Sequence, residues 1–394
     1  YATLIGDHSA DGELDQVDAA GREETLVLLR EYKVALDALD FDQLSRANQV
    51  DAALLLHDLE ANIWSSETLQ EWAWNPLYYI QLSGSGIYGL LARDFAPIEQ
   101  RLASAASRLE QLPRFLEQAR GELVPERVPK IHAETAVSQN QGLGSIIDNM
   151  ILPHMDSLPG DLKERLSNAI ETARDAIADH QTWLEEDLLP RANGDFRIGA
   201  ELYDTKLAFA LNSPLSRKEI KARAELEYQN VRNEMYEVAR TVYLEKYPMT
   251  AFPDQPDEAY KQAIVRAALE EAYKALPPRD GIVEVARQQL EEATNFVIEH
   301  DIVTMPEEPV EVIIMPEFQR GVSLAYLDPP GPLDRDQPAF YAVAPLPEDW
   351  TEEQVESFLR EYNLYSLQDL TIHEAMPGHY LQIAHANNFE APTP

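Results

Sequence analysis

Val310-Glu311-Val312-Ile313-Ile314-Met315 is where the character of this chain changes. The six residues are compact and β-branched, and they read as a strand. Two further strands are expected at 322–327 and 340–343, and Asp328-Pro329-Pro330-Gly331-Pro332 between them can only be a loop. Upstream of this point nearly everything reads as helix. Apolar residues recur at amphipathic spacing across 23–69, as in Leu26-Val27-Leu28-Leu29, and again at 97–122, 161–186, 217–247, 257–275 and 282–300. Ser216 with Glu219 has the spacing of a capping box at the head of one of these helices. The aromatics and proline of residues 72–79 read as a buried corner that interrupts the pattern.

Downstream, Thr351 with Gln354 starts another helix, and a last one is expected after Ser366, with Asp369 at its third position. The expected fold class is therefore mainly α, a large helical body with one small β-sheet over about residues 310–345. No period of 20 to 50 residues recurs, which sets solenoids aside.

The 394 residues are 45% hydrophobic, enough to bury a substantial core. Acidic residues number 69 against 32 basic ones, a formal net charge of −37. Nucleic-acid binding rests on neutralising phosphates with Lys and Arg, so nucleic acid is not an expected partner. Anionic membranes are disfavoured for the same reason, and no apolar run approaches the roughly 20 residues that a membrane span needs. The opening residues show no signal peptide, yet the chain begins with Tyr1 rather than Met. It reads as soluble, cytoplasmic or exported, with the oligomeric state open. With no cysteine at all, any metal must be held by His, Asp and Glu.

The expected last helix carries His373-Glu374-Ala375-Met376-Pro377-Gly378-His379. Zinc hydrolases need three protein ligands, an open position for water and a carboxylate that takes the water's proton. The usual helical solution places two histidines four residues apart, with the glutamate beside the first as base. Here the second histidine comes six residues after the first. On an unbroken helix that puts His379 roughly 120° from His373, too far round to share an ion. Pro377 lacks an N–H, and Gly378 tolerates backbone angles closed to other residues, so the pair can end or bulge the helix and bring His379 back. The plainer reading of Pro377-Gly378 is a simple helix stop. Gln382, three residues beyond His379, is a candidate to hydrogen-bond a ligating group, or else a solvated amide.

The ten residues from His373 to Gln382 resemble the His-Glu-x-x-Pro-Gly-His-x-x-Gln signature of the bacterial "domain of unknown function 885" family. Gly199-Ala200-Glu201-Leu202-Tyr203, the stretch 316–330 with Arg320-Gly321 and Tyr326, and Phe340-Tyr341 match that family's pattern in order. The resemblance covers at least residues 190–394 and extends to the whole chain. It divides the chain into an N-terminal helical part, 1–190, and a part with sheet and metal motif, 191–394, within one family domain truncated at its C-terminus.

The resemblance implies a two-lobed helical metallopeptidase, similar in plan to thimet oligopeptidase and carboxypeptidase Taq, with the small sheet beside the active-site cleft. It implies one zinc ion held by His373 and His379, with Glu374 as general base for metal-activated water acting on short peptides. Tyr326 and Tyr341 become candidates for substrate contact or oxyanion stabilisation, against packing of the sheet. The third ligand is expected in a Glu-Gly-Trp-Ala element beyond residue 394. Glu361, Asp369 and His385 are alternative donors within the chain. The competing functional readings are another metal-dependent amide or ester hydrolase, and a catalytically silent helical protein that binds peptides.

Overall fold

A computed structural model of the chain describes residues 1–334 and 336–388. As expected, helices dominate, and one three-stranded sheet falls where the helical pattern stops. Contacts divide the chain into two interleaved units. The first comprises Tyr1–Tyr203, Pro306–Ala344 and the described residues from Tyr380 onward; the second comprises Asp204–Met305 and Pro345–His379.

The first unit holds helices α1 (Ala19–Asp37), α2 (Arg46–Trp64), α3 (Pro76–Leu91), α4 (Ile98–Glu122), α5 (Lys130–Ile146), α6 (Gly160–Trp183) and the single turn α7 (Leu189–Arg191). Its core follows from the periodicity of α4. Leu102, Ala105, Leu109, Leu112, Leu116 and Ala119 recur at steps of three and four, and all are buried. They meet the matching face of α6, where Leu166, Ala169, Ile170, Ala173 and Ile177 turn inward. Each large aliphatic side chain so buried contributes about 1.5–3 kcal/mol. The corner read at residues 72–79 is present, with a short turn that ends at Ala73, and α3 starts within it. Asn75 accepts the backbone N–H of Leu77, and Pro76 takes the first helical position, where its missing N–H costs nothing.

The sheet consists of β1 (Val310–Ile314), β2 (Ala325–Asp328) and β3 (Ala339–Val343) in the order β1-β3-β2. β1 lies parallel to β3 and β2 antiparallel to it. All five residues of β3 are buried, which is why Ala-Phe-Tyr-Ala-Val is apolar without alternation. β2 starts three residues later than the sequence suggests. Gly321 has a φ of 90°, outside the strand region, and Val322 is 74% exposed.

Between β1 and β2 a single turn, Glu317–Gln319, drives Phe318 into the helices. Phe318 is fully buried. A Cβ at Gly84 of α3 would stand 2.3 Å from its ring, and one at Gly142 of α5 would stand 2.2 Å from its backbone nitrogen. Gln139 of α5 adds a hydrogen bond of 2.7 Å from its amide to the Arg320 carbonyl, and Ser145 donates to Glu317. The two helix glycines thus form the notch that receives the sheet.

The second unit contains α8 (Ala200–Leu211, which begins in the first unit), α9 (Arg217–Lys246), α10 (Glu258–Ala272), α11 (Ile282–Glu299), α12 (Glu352–Glu361) and α13 (Leu364–Glu374). The capping boxes expected at Ser216–Glu219 and Thr351–Gln354 are both formed. α9 and α10 pack through Tyr236, Ala239, Ile264 and Val265. α13 lies on α11, and the Gln289 amide donates to the Leu364 carbonyl at 2.7 Å. Among the described residues no helix is long and apolar enough to cross a membrane.

The notch gives a direct test. Gly142→Ala forces a methyl against the Phe318 backbone, and we expect it to lower the unfolding free energy by about 1–3 kcal/mol, the usual cost of overpacking. Gly144→Ala, two residues past the notch glycine with nothing within 4 Å of its Cβ, is the control. It should be neutral or slightly stabilising in the same urea titration.

Candidate metal centre

The helix that delivers the motif starts earlier than Ser366. Asn363 is the N-cap of α13, and its side-chain oxygen accepts from the backbone of Tyr365 and Ser366 at 3.0 and 3.3 Å. Asn363, three residues upstream, is as competent a cap as Ser366, and the start there is held by tertiary bonds, from the Leu364 N–H to the Ala275 carbonyl at 2.8 Å and from Gln289 to the Leu364 carbonyl. Leu367 and Thr371, one turn apart, are fully buried. His373 and Glu374 therefore fall on the last turn, with His373 exposed and Glu374 half-buried.

The helix then stops. The Thr371 carbonyl accepts from both Ala375 at 3.0 Å and Met376 at 3.2 Å, so the final turn widens by one residue. Pro377 follows through a cis Met376–Pro377 bond, and α14 (His379–Asn387) begins immediately after Gly378. Ala375 and Met376 are buried and pin the turn, while His379 stands exposed at the head of α14.

This break brings the two histidines together. Their ring centres are 4.7 Å apart with the planes at 86°. Two imidazoles on one tetrahedral ion, with bonds of about 2.1 Å, have ring centres roughly 5 Å apart. The reason for Gly378 differs from the one the sequence suggests. Its φ is not among the positive values of the chain. What excludes a side chain is proximity, since a Cβ would lie 1.8 Å from the His373 carbonyl oxygen and 2.3 Å from that of Ile372. The return of His379 needs the chain to pass flush over the end of α13.

The other candidates lie as follows. Gln382 is exposed one turn further along α14, and its amide makes no hydrogen bond among the described residues. Tyr326 sits on β2 opposite Ala342, and its hydroxyl donates to Gln319. Burial, reinforced by the nearby Asp328 carboxylate, pushes that hydroxyl well above the ordinary tyrosine range, so it remains a donor. Tyr341 is on the central strand and fully buried. Among the described residues no three His, Asp or Glu side chains gather into a metal-binding group. Glu361, Asp369 and His385 thus do not complete one. Two nitrogen donors fit zinc in kind and spacing; the third ligand expected beyond residue 394 falls outside the described residues.

Gly378→Ala should push the turn off the end of α13 and separate the rings. The expected result is a change in the His373 and His379 imidazole resonances with the remaining histidine signals unmoved. Unchanged imidazole signals in the variant would show that the flush passage does not hold the pair.

Comparison with known proteins places the chain. The model for "Bacterial protein of unknown function (DUF885)" matches residues 1–394. A solved structure from Shewanella oneidensis, a candidate lipoprotein of unknown function, is 31% identical with a TM-score of 0.70. The match covers 98% of this chain and 69% of that one. A second candidate lipoprotein, from Colwellia psychrerythraea, is 15% identical with a TM-score of 0.68 over the same shares, a likeness of fold. A search of curated proteins finds no match. The chain belongs to the DUF885 family of bacterial proteins of unknown function.

Proposed function

We propose that the break between α13 and α14 is the metal-binding and general-base part of a zinc-dependent peptidase site. The observation that carries this reading is the meeting of His373 and His379 at 4.7 Å across a helix interruption. A simple helix stop does not require an edge-to-face imidazole pair at both helix ends. When bound there, a zinc ion supplies Lewis acidity to the scissile carbonyl and to the attacking water.

The chain's own groups do the rest. His373 and His379 each offer a ring nitrogen from opposite sides of the turn. Both rings are exposed, so an ion and a peptide reach them from solvent. Glu374, next in sequence to His373, takes the proton from the water as its oxygen bonds to the carbonyl carbon. It returns that proton to the nitrogen as the C–N bond breaks. Short peptides fit this reading better than nucleic acid or anionic lipid, because the net charge of −37 repels polyanions.

The purified protein, dialysed against micromolar zinc and then buffer, should retain about one zinc per chain by elemental analysis. His373→Ala and His379→Ala should each lose it. Glu374→Gln should keep the metal and cut cleavage of a quenched peptide library by about 10²-fold or more, the scale of a lost general base. A protein that retains no zinc, or a Glu374→Gln variant that cleaves at the parent rate, overturns the proposal. Metal retention with ester hydrolysis in place of peptide cleavage would move the reading to another hydrolase class.

A further inference from the structure

Beside the Phe318 notch, wholly within the first unit, the helices and sheet enclose an open cavity of about 540 Å³. That lies within the 300–1,000 Å³ typical of small-ligand sites. Its walls are Ile146 and Met150 from the helical side, and Ile313, Ile314, Met315 and Phe340 from the sheet. Ile314 remains 58% exposed at the rim, an aliphatic surface that a ligand would cover.

Two polar groups point the same chemistry. Arg320 donates through Nε to the Met315 carbonyl at 2.9 Å, and its Nη1 lies 3.6 Å from Glu317. Its Nη2 makes no hydrogen bond among the described residues. Glu317 is itself engaged by the Ser145 hydroxyl. Asn149 lines the same cavity from the π-helical turn Ile147–Ile151, exposed, its amide making no hydrogen bond among the described residues.

We propose that this cavity binds the C-terminal end of a short peptide, its last apolar side chain in the trough and its free carboxylate on Arg320. An apolar wall ending at a guanidinium with one unused nitrogen selects an anion carried on an apolar body. Asn149 decides between bodies. A primary amide offers a donor and an acceptor together, which complements a peptide group and has nothing to pair with in a hydrocarbon chain. The inference concerns binding alone and is measured on metal-free protein, so it stands or falls separately from the zinc reading.

The test is fluorescence anisotropy of N-terminally dansylated Ala-Ala-Leu in EDTA. Saturable binding is expected, with the free acid about tenfold tighter than the C-terminal amide, the scale of one charge-assisted hydrogen bond. Arg320→Gln should abolish that preference. Met150→Trp, which fills the trough, should weaken acid and amide alike by about tenfold. Asn149→Ala, an exposed position with no structural bond to lose, keeps the test sound if Met150→Trp folds poorly; it should weaken both several-fold with an unchanged circular dichroism spectrum. Equal binding of acid and amide, a preference that survives Arg320→Gln, or no saturation at millimolar peptide overturns the proposal. So does tighter binding of dodecanoate than of the peptide.

Discussion

One phenylalanine between two helix glycines holds the sheet to the helical body. Phe318 fits because neither Gly84 nor Gly142 has a Cβ, and everything between β1 and β2 is positioned by that fit. A second tie secures the other end of the sheet. Arg93 donates to the Asp328 carbonyl at 2.7 Å and to the Pro338 carbonyl at 2.9 Å, and its guanidinium lies over Phe340. Burial raises the Asp328 carboxyl, and Arg93 opposes that shift and keeps a charge partner for it. With both ends fixed, β3 can be buried on both faces although the sheet has only three strands. The cavity beside β1 is the space left where sheet and helices are held apart by these two anchors rather than packed flat.

The candidate metal centre uses the same device, a glycine chosen for the volume it lacks. On a continuous helix His373 and His379 would diverge by roughly 120°. Ending α13 at Glu374 and restarting at His379 replaces that fixed rotation with a four-residue turn whose path is set by contact. The Thr371 carbonyl gathers two N–H groups, the buried Ala375 and Met376 anchor the turn, and Gly378 passes against the His373 carbonyl. The longer spacing is thus a different construction from the four-residue one, with the second histidine on a new helix.

The parts of this fold that were legible in the sequence are those that local chemistry decides. α4, α6, α9, α10 and α11 announce themselves by steps of three and four, and two capping boxes appear where Ser216 and Thr351 place them. β1 and β3 are legible because β-branched and aromatic residues cluster without helical period. α3 and α5 were not anticipated, because their glycines, Gly84 and Gly142 among them, look like breakers until Phe318 is known to fill the space. The start of α13 was missed because Asn363 and Ser366 are both competent caps, and only tertiary contacts choose between them. The pairing of the histidines could be conjectured from Pro377-Gly378, but for the wrong property of glycine. Gln382 carried no local signal that separates a supporting hydrogen bond from a solvated amide.

The two-histidine arrangement also constrains what Glu374 can do. Two nitrogen donors confine an ion to an arc about the line joining them, since rotation about that line changes neither bond. An anionic oxygen close by is then the strongest remaining donor, and a carboxylate that ligates the ion is no longer basic. A third donor from elsewhere removes that freedom and leaves the carboxylate to the water. Glu374 acts as a base only where such a donor holds the ion away from it. The peptidase reading therefore separates into two structural demands. The break at Gly378 sets the distance between the rings, and a further donor would have to hold the ion away from Glu374.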